Sequence, residues 1–162
     1  MSDASVKRIK SSGISAEHEL VRKLWKMGFA VIRGPASGAK IKRGIYPDLV
    51  ALKDSKIFVF EVKRRKELKT IYIEAKQVLK IIEFARRAGG EPLLAIKIDS
   101  LKTWKVIELN KILAGETASN KNIRIGKEVI ESAEELFTYL SRKFSIGLDK
   151  FINPRSMSEN SL

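Results

Sequence analysis

Three residues in the first half of the chain, Asp48, Glu61 and Lys63, have types and spacing suited to hydrolysis of a phosphodiester. Asp48 opens one β-rich run, residues 48–52, and Glu61 lies near the end of a second, residues 57–62; the polar stretch Lys53-Asp54-Ser55-Lys56 joins the two runs as a hairpin turn. Pairing Leu52 with Ile57 makes all paired positions sum to 109 and sets Asp48 opposite Glu61. Cross-strand β-carbons lie roughly 5 Å apart. Two carboxylates at that distance can share a divalent ion, with oxygens at about 2.1 Å from it. Lys63 stands two residues beyond Glu61 and so points to the same face. An acidic pair with an ammonium group beside it suits an ion that acidifies water and neutralises charge on a phosphate. The lysine is placed to orient the attacking hydroxide or to stabilise the transition state.

The tripeptide Glu-x-Lys alone carries little information, because it occurs three times, at Glu61, Glu67 and Glu74. What separates Glu61 is that it closes the apolar run Ile57-Phe58-Val59-Phe60, the pattern of a strand buried on both faces. A carboxylate there destabilises the fold unless it is paired or binds metal. Glu67 and Glu74 fall in polar or helical surroundings and are expected to be solvated.

Composition narrows the cofactor and the partner. Cysteine is absent and His18 is the sole histidine, so disulfides, thiolate chemistry and a histidine-rich metal site are excluded. Carboxylate ligands favour Mg²⁺, with Mn²⁺ as a substitute, over Zn²⁺. A formal net charge of +13 implies an anionic partner. Nucleic acid fits better than a membrane surface, because the basic residues fall in loops and beside strands rather than on an amphipathic helix. A lysine-rich solvated surface of the kind found in thermophiles is the plainer alternative. No apolar run has the length of a membrane span and residues 1–10 lack the apolar stretch of a signal peptide, so a cytoplasmic protein is expected.

With 162 residues and 44% hydrophobic content, the chain is long enough for one core. Residues 1–12, polar and basic without periodicity, are expected as a flexible arm, residues 13–152 as a single domain, and residues 153–162 as a disordered tail. A helix is predicted from Ser15 as N-cap through Leu20, Val21, Leu24 and Met27, stopped by Gly28. Residues 29–32 read as a strand. Residues 34–44 mix Gly34, Pro35, Ser37, Gly38 and Gly44 with Lys40, Lys42 and Arg43, a basic loop. After the hairpin comes a very basic stretch, residues 63–69. A helix is expected over residues 73–88, with Val78, Ile81, Ile82 and Ala85 on one face and Gly89-Gly90 as its stop. Strands at 92–98 and 104–109, a loop at 114–122 and a final helix over 132–144 complete the reading. This order predicts an α/β fold: a central mixed β-sheet flanked by helices.

Pro47-Asp48, twelve intervening residues and Glu61-Val62-Lys63 together resemble the catalytic core of the PD-(D/E)xK nucleases. The segments Ser15 to Leu20, Gly28 to Arg33 with Pro35 to Gly38, and Ile82 to Arg87 with Gly89-Gly90 narrow the likeness to the archaeal Holliday junction resolvases. It covers residues 13–152. The resemblance implies a restriction-endonuclease-like fold and a Mg²⁺-dependent endonuclease acting in recombination and repair. It also implies a homodimer in which each subunit nicks one of two opposing strands of a four-way DNA junction, the two-fold of the enzyme matching that of its substrate.

On matching positions, the resemblance implies that Glu17 adds a third acid to Asp48 and Glu61 at the metal and that Lys63 is the catalytic lysine, with Gln77 in support. Arg33, Ser37 and Lys40 would contact the backbone near the scissile phosphate. Lys42, Arg43, Arg64 and Arg65 extend the expected DNA surface. Taken alone, Glu17 would only favour a helix N-terminus and Ser37 would only be a turn residue. Many members carry arginine where this chain has His18, whose type alone marks an ordinary helix-surface residue. The same core would serve a repair or restriction-type nuclease on duplex DNA, and a non-catalytic junction-binding architectural protein could keep the fold; the intact acidic set argues against the latter. The apolar segment Ile146 to Ile152 either packs on the domain or docks on a partner such as the replication sliding clamp.

Overall fold

The computed structural model describes residues 3–35, 46–113 and 121–144. Twelve elements follow one another: α1 (Asp3–Lys26), β1 (Ala30–Arg33), β2 (Leu49–Lys53), β3 (Lys56–Arg65), β4 (Ile71–Glu74), α2 (Ala75–Ala88), β5 (Glu91–Ile98), β6 (Thr103–Glu108), α3 (Leu109–Leu113), β7 (Asn122–Ile125), α4 (Lys127–Ser132) and α5 (Leu136–Phe144). A five-stranded sheet has the order β1-β2-β3-β5-β6, and β4 pairs with β7 in a separate ribbon. β3 and β5 run parallel while the other neighbours in the large sheet are antiparallel. The expected mixed α/β architecture is therefore present.

Hairpin β2–β3 has the expected register, Leu49↔Phe60 through Leu52↔Ile57, and pairing continues to Lys53↔Lys56. The turn is therefore tighter than expected, with only Asp54 and Ser55 unpaired. Both have positive φ, 47° and 62°, the geometry that matches the right-handed twist of the flanking strands.

β3 is central and buried from Phe58 through Val62. Alternate side chains enter two cores. Phe58, Phe60 and Val62 join Leu20 and Leu24 of α1, Trp104 of β6 and Leu140 of α5. Val59 joins Val78, Ile81 and Ala85 of α2, Leu94 and Ile96 of β5, and the buried isoleucines of β4 and β7. Each fully buried Phe or Leu stabilises the fold by about 1.5–3 kcal/mol. Since Glu61 has the parity of Val59, its side chain is aimed at the α2 layer.

Several boundaries differ from expectation. α1 begins at Asp3 rather than Ser15, so residues 3–12, expected in an aperiodic arm, are helical. Extending a helix already nucleated costs little per residue, and Ser15 is passed over as a cap. The helix expected from residue 73 begins at Ala75, because Ile71 to Glu74 form β4, whose alternating burial places Ile71 and Ile73 inward. Its partner β7 takes the end of a stretch expected as loop. α2 ends at Gly89 with φ 68°, the left-handed residue that its glycine signal announced.

The final helix, expected over residues 132–144, begins at Leu136 as α5, and the short α4, which was not expected, precedes it. The Val106 amide on the edge strand β6 donates to the Glu134 carbonyl, and Lys105 Nζ donates to the Glu131 and Ala133 carbonyls. Those carbonyls are thereby drawn out of the helical ladder, and Glu135 restarts it by accepting the Thr138 amide at 2.8 Å. Ser37, Lys40, Lys42 and Arg43 of the basic loop lie outside the described residues, as do residues 145–162. Among the described residues, no helix is long and apolar enough to cross a membrane.

Candidate active site

Asp48, Glu61, Lys63 and Gln77 come together where β2 meets β3 beneath the first turns of α2. Glu61 is 4% exposed and is the one buried charged residue among those described. Its two oxygens have different partners: Oε1 accepts from Lys63 Nζ at 2.5 Å, and Oε2 accepts from Gln77 Nε2 at 3.0 Å. The first contact follows from the two-residue spacing on one strand face. The second needs α2 to cross that face with Gln77, its third residue, directed at β3. Glu67 and Glu74 are exposed, in keeping with their surroundings in the sequence.

Asp48 lies one residue past the β2–β3 ladder. Its amide donates to the Phe60 carbonyl, and its Oδ2 accepts the Val62 amide at 2.8 Å. Burial pushes its carboxyl up to about 7, and the Glu61 charge adds to the rise; the Val62 amide and Lys63 pull it down, and Glu17 makes a smaller upward contribution. Two carboxylates this close in an apolar setting fit a divalent cation, which would relieve both the burial and the mutual repulsion.

Gly34 allows the close approach of β1 to this corner. Its amide donates to the Asp48 carbonyl at 2.9 Å, and a β-carbon added there would lie 2.1 Å from the Pro47 carbonyl oxygen. Arg33, the preceding residue, reaches α1: Nη2 donates to Glu17 Oε2 at 2.8 Å, and Nη1 lies 2.7 Å from His18 Nε2. Glu17 thus sits on the α1 side of the sheet, salt-bridged to Arg33, and its charge is felt at Asp48. Among the described residues, no three or more Asp, Glu or His side chains gather at metal-holding spacing.

The basic residues that follow Lys63 are also engaged within the fold. Arg64 Nε donates to both oxygens of Asp99, at 3.1 and 2.9 Å. Arg65 is half-buried, which lowers its pKa, and its Nη1 donates to the Arg64 carbonyl. One polar cluster had no advance signal: Glu19 Oε1 accepts from both Lys97 Nζ, at 2.8 Å, and Trp104 Nε1, at 3.2 Å, tying α1 to β5 and β6. A cavity of about 490 Å³ lined by Val106, Ile112, Ile125, Val129 and Tyr139 shares no residue with the acidic corner.

Comparison with known proteins decides the family. The chain matches the archaeal Holliday junction resolvase (Hjc) family over residues 8–147. It belongs to that family. Among its resolvase relatives, the crossover junction endodeoxyribonuclease Hjc of Sulfurisphaera tokodaii is 41% identical over 146 residues, covering 88% of this chain and 97% of the relative. The Hjc of Sulfolobus acidocaldarius is 39% identical, covering 88% and 98%. The solved structure of Archaeoglobus fulgidus Hjc, a Holliday junction resolvase from an archaeal hyperthermophile, superposes with a TM-score of 0.65 at 30% identity, covering 80% of this chain and 96% of that one. The resemblance to the archaeal resolvases, read from the segments at Ser15 to Leu20, Gly28 to Gly38 and Ile82 to Gly90, is thus met over residues 8–147, and this chain shares the resolvase fold.

Proposed function

We propose that this protein resolves four-way DNA junctions by metal-dependent hydrolysis, nicking two opposing strands as a homodimer. The observation that supports this most is the pairing of buried Glu61 with Lys63 and Gln77 next to a half-buried Asp48, in a family member with a net charge of +13.

In this reading Asp48 and Glu61 hold the cation, with Glu17 as a further acid. Mg²⁺, or Mn²⁺ in its place, supplies positive charge to the phosphate and lowers the pKa of water. Gln77 holds the Glu61 carboxylate in one orientation. The Val62 amide does the same for Asp48. Lys63 donates hydrogen bonds to the phosphate oxygens as their charge grows, a contribution strongest where water is excluded. Arg33 binds the adjacent backbone phosphate, and Ser37 and Lys40, with Lys42 and Arg43, extend the DNA contact, while Arg64 and Arg65, held by Asp99 and a backbone carbonyl, add positive charge behind it. Strand selection comes from the dimer, whose two sites would face two opposing strands.

The test is incubation of the purified protein with a labelled four-way junction and a matched duplex, with Mg²⁺ or EDTA, alongside Asp48→Asn. Paired symmetric nicks in the junction alone, requiring Mg²⁺ and lost in the variant, establish the reading. Cutting of the duplex would replace it with a general nuclease, and tight binding without cleavage would replace it with an architectural protein.

A further inference from the structure

The sole histidine makes one side-chain hydrogen bond of interest, to an arginine fifteen residues away. Arg33 closes β1 beside the acidic corner, and its guanidinium is held at two points by consecutive residues of α1. Glu17 Oε2 takes Nη2 at 2.8 Å and His18 Nε2 meets Nη1 at 2.7 Å. An arginine only donates, so the imidazole nitrogen is the acceptor and the ring proton is on Nδ1. The remaining guanidinium nitrogen, Arg33 Nε, is buried with no partner among the described residues. Among the described residues, the direction of the fork is therefore set by Glu17 and His18. With Glu17 alone, the group could pivot about a single contact; two acceptors on two different nitrogens define its plane.

We propose that His18 is a positioning residue: by accepting from Nη1 it fixes the plane of the Arg33 guanidinium at the edge of the phosphate-cutting corner. This rests on the reading of that corner as the nuclease site. The role needs a neutral acceptor at the tip of a medium-length side chain. Glutamine can supply one through its amide oxygen, whereas alanine has none and lysine only donates. His18 is exposed and outside both cores, so its removal leaves the packing of α1 on the sheet intact.

The experiment compares the full-length protein with His18→Ala, His18→Gln, Arg33→Ala and the His18→Ala/Arg33→Ala double variant. Cleavage of a four-way junction is followed under single-turnover conditions with enzyme in excess. We expect His18→Ala to slow cleavage about tenfold, less than the roughly hundredfold that a 1 Å misplacement can cost, with junction affinity and melting temperature nearly unchanged. His18→Gln should recover the rate to within about threefold. In the Arg33→Ala background, removing His18 should cost nothing further.

A His18→Ala rate equal to wild type, or a full additional loss in the double variant, overturns the proposal. A second readout is independent of cleavage: in side-chain NMR spectra, hindered rotation should keep the Arg33 Nη resonances distinct in wild type and in His18→Gln and average them in His18→Ala. Averaged signals in the wild type overturn the proposal even if the junction is cut. If instead the wild type cuts no junction while the Arg33 signals respond as described, the assigned activity fails and the positioning contact stands.

Discussion

The Oδ2 of Asp48 accepts the backbone amide of Val62 at 2.8 Å, one residue beyond the last paired rung of the β2–β3 hairpin. This bond holds a half-buried carboxylate toward the side of the sheet that carries Glu61, and among the described residues no ion pair joins it. It marks a site in which two neighbouring acids share one lysine and favour a further cation.

A pH dependence follows from that arrangement. Folding raises the Asp48 carboxyl from its ordinary 3.8 to about 7, so between those values the native state holds more protons than the unfolded chain. Stability is then lost as pH rises from about 4 to 7 and levels off above, by an amount on the order of a few kcal/mol. In EDTA, the melting temperature of wild type minus that of Asp48→Asn should fall across this window. Added Mg²⁺ should raise the wild-type value more at pH 8 than at pH 5. A difference that does not vary with pH would remove the buried-acid account.

Replacing Glu61 with glutamine keeps its shape and removes its charge, leaving Lys63 without its carboxylate partner. Cleavage should fall by at least about 10²-fold, as for loss of a single electrostatic group in a water-excluded site, while gel-shift affinity for the junction is retained. Loss of junction affinity along with cleavage would assign Glu61 a structural role instead.

Gly34→Ala tests whether the β1 end must lie against Pro47. The added methyl meets a carbonyl oxygen at 2.1 Å and neither backbone can move without breaking the Gly34–Asp48 hydrogen bond. Urea unfolding should show a loss of about 1–3 kcal/mol. An unchanged midpoint would mean that the corner is looser than its geometry indicates.

Glu19→Ala leaves the largely buried Lys97 ammonium and the Trp104 indole N–H without their acceptor. Partial burial alone would raise the Glu19 carboxyl, but the bonds from Lys97 and Trp104 outweigh it and hold the group below its ordinary range. The substitution should destabilise by roughly 1–3 kcal/mol, the penalty for orphaned polar groups, and Glu19→Gln should recover part of it by restoring an acceptor to Trp104. Equal losses for both variants would show that charge, not hydrogen bonding, matters there.

Junction binding should weaken steeply with salt, since each phosphate neutralised by lysine or arginine releases counterions. Arg64 and Arg65 are already committed within the fold, to Asp99 and to a backbone carbonyl. Arg64→Ala should therefore change the slope of log affinity against log salt less than Lys66→Ala, whose side chain is exposed. The reverse order would show that Arg64 leaves Asp99 for DNA.

The sequence by itself determined the hairpin register, the placement of Glu61 on a doubly buried strand, the Gly89 stop of α2 and the family. Each is a local consequence of side-chain periodicity, turn chemistry or a motif along the chain. Tertiary structure alone decided what these residues touch. Asp48 was expected opposite Glu61, yet its hydrogen bond goes to the Val62 amide, because the ladder ends at Leu49. Ile71 and Ile73 suit a helix stripe and a strand equally well, and β7, about fifty residues later, settles the choice by pairing with them. The late start of α5 at Leu136 was illegible for the same reason: helical spacing continues back through residues 132–135, and the competing hydrogen bonds come from β6. The links of Arg33 to Glu17 and His18, and of Glu19 to Lys97 and Trp104, depend on how α1 crosses the sheet, and periodicity along one element carries no information about where another element's polar groups will arrive.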